Sequence, residues 1–335
     1  MLLRALLLML VAANALAQAK PERVVFATNW KAQAEHGGYY QALAAGGYRA
    51  CGLEVEIQMG GPQVNNRPLL LVGKIDFLMG GNLLQAFDAV KQKVPTLIVA
   101  AHFQRDPQGI MAHPGGYESF DTLKKAPVIL VSAYGVTSFF QWMKQAHGFR
   151  EEQVRPYQFS LAPFLVNKNW AVQAYLTAEP LAAEREGKIK PKFFLLADHG
   201  WSSYSTTVET RADLVAKKPQ LVQCFVDASA AGWVNYLYGD RKAANAAIRK
   251  HNPEMDEATL EYSVGKMKEF GIVDSGDALT QGIGAMSDAR IADFHAKMVA
   301  AGLFKPGEID PRRAYSLQFV NKGAALAELK RLRAK

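Results

Sequence analysis

VVFATNW at residues 24–30 and GLEVEIQM at residues 52–59 frame the segment KAQAEHGGYYQALAAGGYRAC, residues 31–51. Residues 24–28 are a short apolar, β-branched run, and residues 53–59 alternate apolar with polar side chains, the period of a half-buried strand. Between them, helical spacing opens at Gly37-Gly38 and Tyr39-Tyr40 and closes near Gly46-Gly47 and Gly52. The pattern predicts a βαβ unit with Asn29 and Trp30 at the strand-to-helix turn, the carboxyl end of a strand, where open α/β sheets bind ligands.

Working outward, the same alternation recurs. Gly60-Gly61-Pro62 closes the second strand, and a helix is expected over 65–72. A third strand follows at 74–79, then Gly80-Gly81-Asn82, with Asn82 placed to cap a helix over 83–91. Residues 95–103 read as a fourth strand. Alternating strands and helices argue a mostly parallel sheet with helices on both faces. At 104–116 the chain turns rich in Pro and Gly, which reads as a crossing into a second lobe. That lobe restarts the pattern, with strands at 127–133, 154–159, 171–177 and 193–198. Helices are expected at 136–147, 163–168 and 179–186. Residues 204–209 (YSTTVE) read as a second extended crossing, back to the first lobe. The remainder is mostly helical, with Pro219 suited to a first helical position and Trp233 on an apolar, core-facing stripe. This gives a fold class of two α/β lobes with two hinge crossings, divided as 18–108 with 207–335 and 109–206.

The 335 residues are 49% hydrophobic and 21% charged, the balance of a globular protein. A net charge of +8 would suit nucleic acid, but Lys and Arg are scattered and no aromatic RNA signature is present. No nucleic-acid partner is expected. Residues 1–17 read as a secretory signal: Arg4 is the positive end, 6–11 the apolar run, and Ala15-Leu16-Ala17 the cleavage site. The periplasm is the expected location. Two unpaired structural thiols are expected at Cys51 and Cys224, a disulfide being the alternative that an oxidising compartment permits. No metal-ligand spacing occurs, and no cofactor is expected.

By its stretches ATNWKAQAEHGGYYQAL (27–43), GLEVEI (52–57), LLLVGKIDFLMGG (69–81), SFDTLKKAPVILVSAYG (119–135), AYLTAEP (174–180) and KKPQLVQCFVDASAAGW (217–233), the chain resembles the periplasmic substrate-binding proteins of ABC importers. The group it resembles includes binders of thiamine pyrimidine precursors, riboflavin, nitrate, taurine and sulfonates. The resemblance implies a two-lobe, type II-like binding-protein fold, a small-molecule ligand between the lobes, and an inner-membrane permease with its ATPase as partner. A monomer is expected.

The resemblance puts ligand contacts at Asn29, Trp30, His36 and Tyr39. Trp30 either stacks on a planar ring or packs the lobe, and His36 either contacts ligand or caps the next helix. Gly61 and Gly81 permit close backbone approach to a ligand or serve tight turns, and Asn82 is a contact or only a cap. Tyr134 and Gly135 open a helix whose N-terminus would favour an anion. Glu179 follows AYLTA, where acidic residues contact amino-heterocycles in the pyrimidine binders. Its plainer reading is a first-turn acid favoured by the helix dipole. Tyr204, with Trp201 before it, is a candidate cleft wall. These positions favour a planar nitrogen heterocycle, with a small anion such as a sulfonate, taurine or nitrate as the alternative. Catalysis is not expected. Pyrimidine synthases sharing this fold need an active-site Lys, a His and a Cys-rich segment. Here residues 85–95 hold Lys91 and Lys93 but no His.

Overall fold

The computed structural model describes residues 20–61 and 64–334; the segment read as an export signal lies outside the described residues. Two five-stranded sheets form two lobes. In the first, β1 (Glu22–Ala27) pairs in parallel with β2 (Leu53–Gln58) and β3 (Phe77–Asn82). The sheet is completed by β4 (Thr96–Phe103) and by a strand from much later in the chain, described below. The second sheet contains β5 (Gln108–Ala112), β6 (Ile129–Val131), β7 (Val154–Pro156), β8 (Ala171–Tyr175) and β9 (Lys192–Leu195), in the order β7-β6-β8-β5-β9. There β6 runs parallel to β7 and β8, while β5 is antiparallel to β8 and β9.

The expected crossing at 204–209 is corrected. Residues Ser205–Arg211 are strand β10, inserted antiparallel between β3 and β4 of the first sheet. The backbone is extended as its sequence suggests, but its hydrogen bonds go to two neighbours rather than to a linker's solvent. The chain passes between sheets at 104–107 and 196–204. These two passages are tied together: Trp201 donates its indole N–H to Asp106 at 2.8 Å, and Arg105 pairs with Asp198 at 2.5 Å. Arg290 donates to the carbonyls of Gln104, Ser202 and Ser203, so one guanidinium clamps both passages to the first lobe.

Close packing explains the glycine pair of EHGGYY. Helix α1 (Gly37–Ala44) lies against the long α2 (Pro219–Tyr238). A Cβ at Gly37 would stand 2.0 Å from the Tyr236 ring, and one at Gly38 2.3 Å from Trp233. Trp233 is fully buried, and Phe225 of the same helix stacks on Phe77 of β3 at 4.1 Å between centroids. The expectation of unpaired thiols is also corrected. Cys51 and Cys224 form a disulfide with Cα atoms 5.9 Å apart, tying the approach to β2 onto α2 across 173 residues of sequence. Spacing alone gave no sign of this, because the two Cβ atoms meet only when α2 docks on the first sheet. Among the described residues no helix is long and apolar enough to cross a membrane, and no group of His, Cys, Asp and Glu could hold a metal.

Candidate functional site

A cavity of about 50 Å³ lies where the lobes meet. The first lobe contributes Asn29, Trp30, Gln33, Glu35, His36 and Met79. From the second come Gln108, Ser132, Tyr134, Gln173, Tyr175 and Glu179. Each wall follows from the local fold. Asn29 and Trp30 sit just past the end of β1. Gln33, Glu35 and His36 belong to a tight turn, helical over Ala34–His36, that leads into α1. Opposite them, Ser132 and Tyr134 follow β6, Gln173 and Tyr175 end β8, and Glu179 opens helix α3 (Glu179–Gly187). The cavity continues into two grooves: one of about 440 Å³ shares Asn29, Met79 and Tyr134 with it, and one of about 430 Å³ shares Gln33, Glu35 and Glu179.

The electrostatics are one-sided. Neither Lys nor Arg is among the described residues lining the cavity. Burial pushes the Glu35 carboxyl above its ordinary range, partly offset by the hydrogen bond from Thr177. Burial also pushes Glu179 up to about 7, the Glu35 charge adding to the effect. His36 is pushed down to about 3 by burial and is neutral. Its Nδ1 accepts from the Gln33 backbone N–H at 3.3 Å, so Nε2 carries the proton. Glu179 accepts from the Tyr175 N–H at 2.7 Å and the Tyr157 hydroxyl at 3.2 Å.

Of the residues singled out from sequence, Asn29, Trp30, His36, Tyr134 and Glu179 line the cavity. Trp30 is half-buried and meets Phe159 of the second lobe edge-on, 5.9 Å between centroids. The others lie elsewhere. Tyr39 is a core residue of the first lobe; its hydroxyl bonds His102 Nδ1 at 2.9 Å, because the helix face it occupies is turned inward onto α2. Gly81 and Asn82 sit behind Tyr134. A Cβ at Gly81 would fall 1.1 Å from the Tyr134 hydroxyl, and Asn82 donates to that hydroxyl at 3.0 Å. Asn82 also caps helix α4 (Leu83–Lys91), accepting from the Leu84 and Gln85 N–H groups.

Gly61 does not line the cavity, nor does Gly135, whose N–H is consumed by the Ser132 hydroxyl that caps its four-residue helix. Tyr204 is buried in the first lobe, donating to Asp277 at 2.6 Å under the Arg290 guanidinium, and Trp201 belongs to the crossings. Lys91 pairs with Glu308 at 2.9 Å and is not in the cavity lining.

Sequence reasoning missed Gln33, Glu35, Met79, Gln108, Ser132, Gln173 and Tyr175. Glu35 stood between two residues that were named, Trp30 and His36. Its position in the turn that leaves β1 was the available signal. Gln173 and Tyr175 close a strand, where ligand positions were sought only after the strand's end.

Two α/β lobes joined by paired crossings, with a cavity between them, define the periplasmic-binding-protein fold. The chain belongs to the NMT1/THI5-like family, whose model matches residues 33–243. Among solved structures, it is similar to one from Bordetella bronchiseptica RB50 at 14% identity, covering 92% of this chain and 98% of that one with a TM-score of 0.69. A Staphylococcus aureus ligand-binding component of an ABC-type import system, with zinc bound, matches at 12% identity over 91% and 99% of the two chains, TM-score 0.62. The periplasmic aliphatic sulphonate-binding protein of Escherichia coli matches at 12% over 88% and 92%, TM-score 0.62. No curated protein sequence matches the chain.

Proposed function

We propose that this protein is the substrate-binding component of an ABC import system, holding a small planar nitrogen heterocycle of the thiamine-pyrimidine kind between its lobes. The single observation that carries this reading is that both lobes wall one cavity, with aromatic rings, side-chain amides and two carboxyl groups but no cationic side chain among its described lining. A ligand there touches both lobes, so its binding favours their closed arrangement. Trp30, Tyr134 and Tyr175 offer ring faces, Asn29 and Gln173 amide groups, and Glu179 an acceptor for ring amino groups. At about 50 Å³ the cavity is small for a substituted ring, so entry requires the lobes to part. The Cys51–Cys224 disulfide supports an oxidising compartment such as the periplasm. An inner-membrane permease and its ATPase are the partners this role requires.

The alternative ligand, a small anion, draws support from the sulphonate-binding relative. Sulfonate recognition calls for several donors, usually including Arg or Lys. The Gly135 N–H, the donor expected for an anion, is already bonded to Ser132. The two readings separate in calorimetry of a 4-aminopyrimidine and taurine against wild type, Glu179→Gln and Trp30→Ala. Loss of a charge-assisted bond in Glu179→Gln weakens the pyrimidine by roughly 1.5–3 kcal/mol, about ten- to a hundred-fold in Kd. Trp30→Ala also loses affinity with its fold retained. Tight taurine binding, unchanged in Glu179→Gln and with no response to the pyrimidine, would show the heterocycle reading to be wrong.

A further inference from the structure

One group in the cavity wall is left unsatisfied by the protein. Glu35 is 1% exposed, and its Oε1 accepts from the Thr177 hydroxyl of the opposite lobe. Its Oε2 is buried without a hydrogen-bond partner. A carboxylate oxygen withdrawn from water and left unpaired is costly. Across the interface, Glu179 has each oxygen engaged once, which leaves acceptor capacity on both. Neutral His36 adds no charge between them.

The groove that shares Glu35 and Glu179 with the cavity extends the same sign outward. Its lining adds Glu186, Glu254 and Asp256. Two cations stand against them: Arg185, held by Asp256 at 3.1 Å and by Thr259 at 2.7 Å, and Lys31 beside the lining, paired with Glu254 at 2.7 Å. Glu186 is left as the acid with no ion pair among these. On a chain of net charge +8, this mouth is locally acidic. Such a cleft concentrates cations and repels anions.

We propose that the cavity selects a cationic ligand: an amino-substituted nitrogen heterocycle bearing a further ammonium or ring-protonated N–H group, its donors divided between Glu35 Oε2 and Glu179, and entering by the Glu186–Glu254 mouth. This rests on the cavity being the ligand site, as argued above. The unpaired Oε2 receives the donor that the walls lack, and the ligand's charge favours ionisation of the two carboxyls on which burial otherwise holds the proton.

The test compares two neutral-ring probes that differ in the end group of one arm: a 4-aminopyrimidine with a cationic aminomethyl arm and the same ring with an uncharged hydroxymethyl arm, with taurine as the anionic control. Calorimetry at about pH 7.5, where the arm amine is largely protonated, should show wild type preferring the aminomethyl probe at least tenfold. Glu35→Gln should erase most of that preference, lowering the aminomethyl affinity several-fold more than the hydroxymethyl affinity. Should Glu35→Gln fail to fold, Glu186→Gln/Glu254→Gln alters only exposed residues. That variant should slow association of the aminomethyl probe several-fold, more at low salt than at high, and leave the hydroxymethyl probe unaffected. Equal affinity of wild type for the two pyrimidines, or equal losses for both in Glu35→Gln, overturns this proposal and leaves the heterocycle reading standing. Binding of taurine with neither pyrimidine overturns both.

Discussion

At the scale of single residues, Glu179 and His36 make opposite demands on pH. The folded protein holds the Glu179 proton up to about 7, whereas an ordinary carboxyl of this type releases it near 4.5. Between those values the native state binds more protons than the unfolded chain, so stability falls as pH rises through the window. His36 and His102, pushed down to about 3 by burial, reverse the sign: below 6.5 the unfolded imidazoles take up protons that the native state refuses. Their contribution therefore rises with pH from about 3 to 6.5. Glu179→Gln removes only the carboxyl's part. Urea unfolding across pH should show this variant gaining on wild type by up to ~3 kcal/mol as pH rises from 4.5 to about 7, and a difference that stays constant with pH would refute the assignment. Asn29 and Trp30 were legible as candidates because strand ends in α/β sheets face the ligand side, and Glu179 through the resemblance to pyrimidine binders. Glu35 shared the turn after β1, but nothing in sequence distinguishes a buried turn carboxylate from a solvated one.

Among elements, β3 and the helix it launches do two jobs at one point. Asn82 ends the strand, caps α4 and donates to Tyr134 of the other lobe, while Gly81 leaves the space into which that tyrosine fits. Gly81→Ala places a methyl where the hydroxyl stands, so Tyr134 must withdraw and the lobes part. Small-angle scattering of the free variant should give a larger radius of gyration than free wild type, with a lower affinity for whichever probe wild type binds. Identical profiles would mean that Tyr134 relocates without moving the lobe. The cap was readable because Asn before an apolar periodic run is a local signal. The seat for Tyr134 was not, because it joins residues 52 apart through tertiary packing. The misreading of 204–209 has the same origin: an alternating, extended segment looks alike whether it spans two lobes or enters a sheet, and only its partners decide.

For the molecule as a whole, the first lobe is assembled from both ends of the chain, and the Cys51–Cys224 bridge joins those ends. Neither sulfur lines the cavity. Cys51→Ser/Cys224→Ser should lower unfolding stability by about 2–4 kcal/mol in denaturant titrations while leaving ligand affinity unchanged; an affinity loss with intact stability would contradict this division. The placement of β10 has a consequence for the order in which the protein comes into being. Every strand of the second sheet has been synthesised once Leu195 emerges, so that lobe can form from one continuous stretch. In the first, β4 pairs only with β10 in the sheet order, so from Thr96 onward it waits more than a hundred residues for its neighbour. Contacts of such long sequence separation close late. During translation, an unfinished amino-terminal half with an exposed apolar strand edge is therefore the form most open to wrong pairing until β10 arrives.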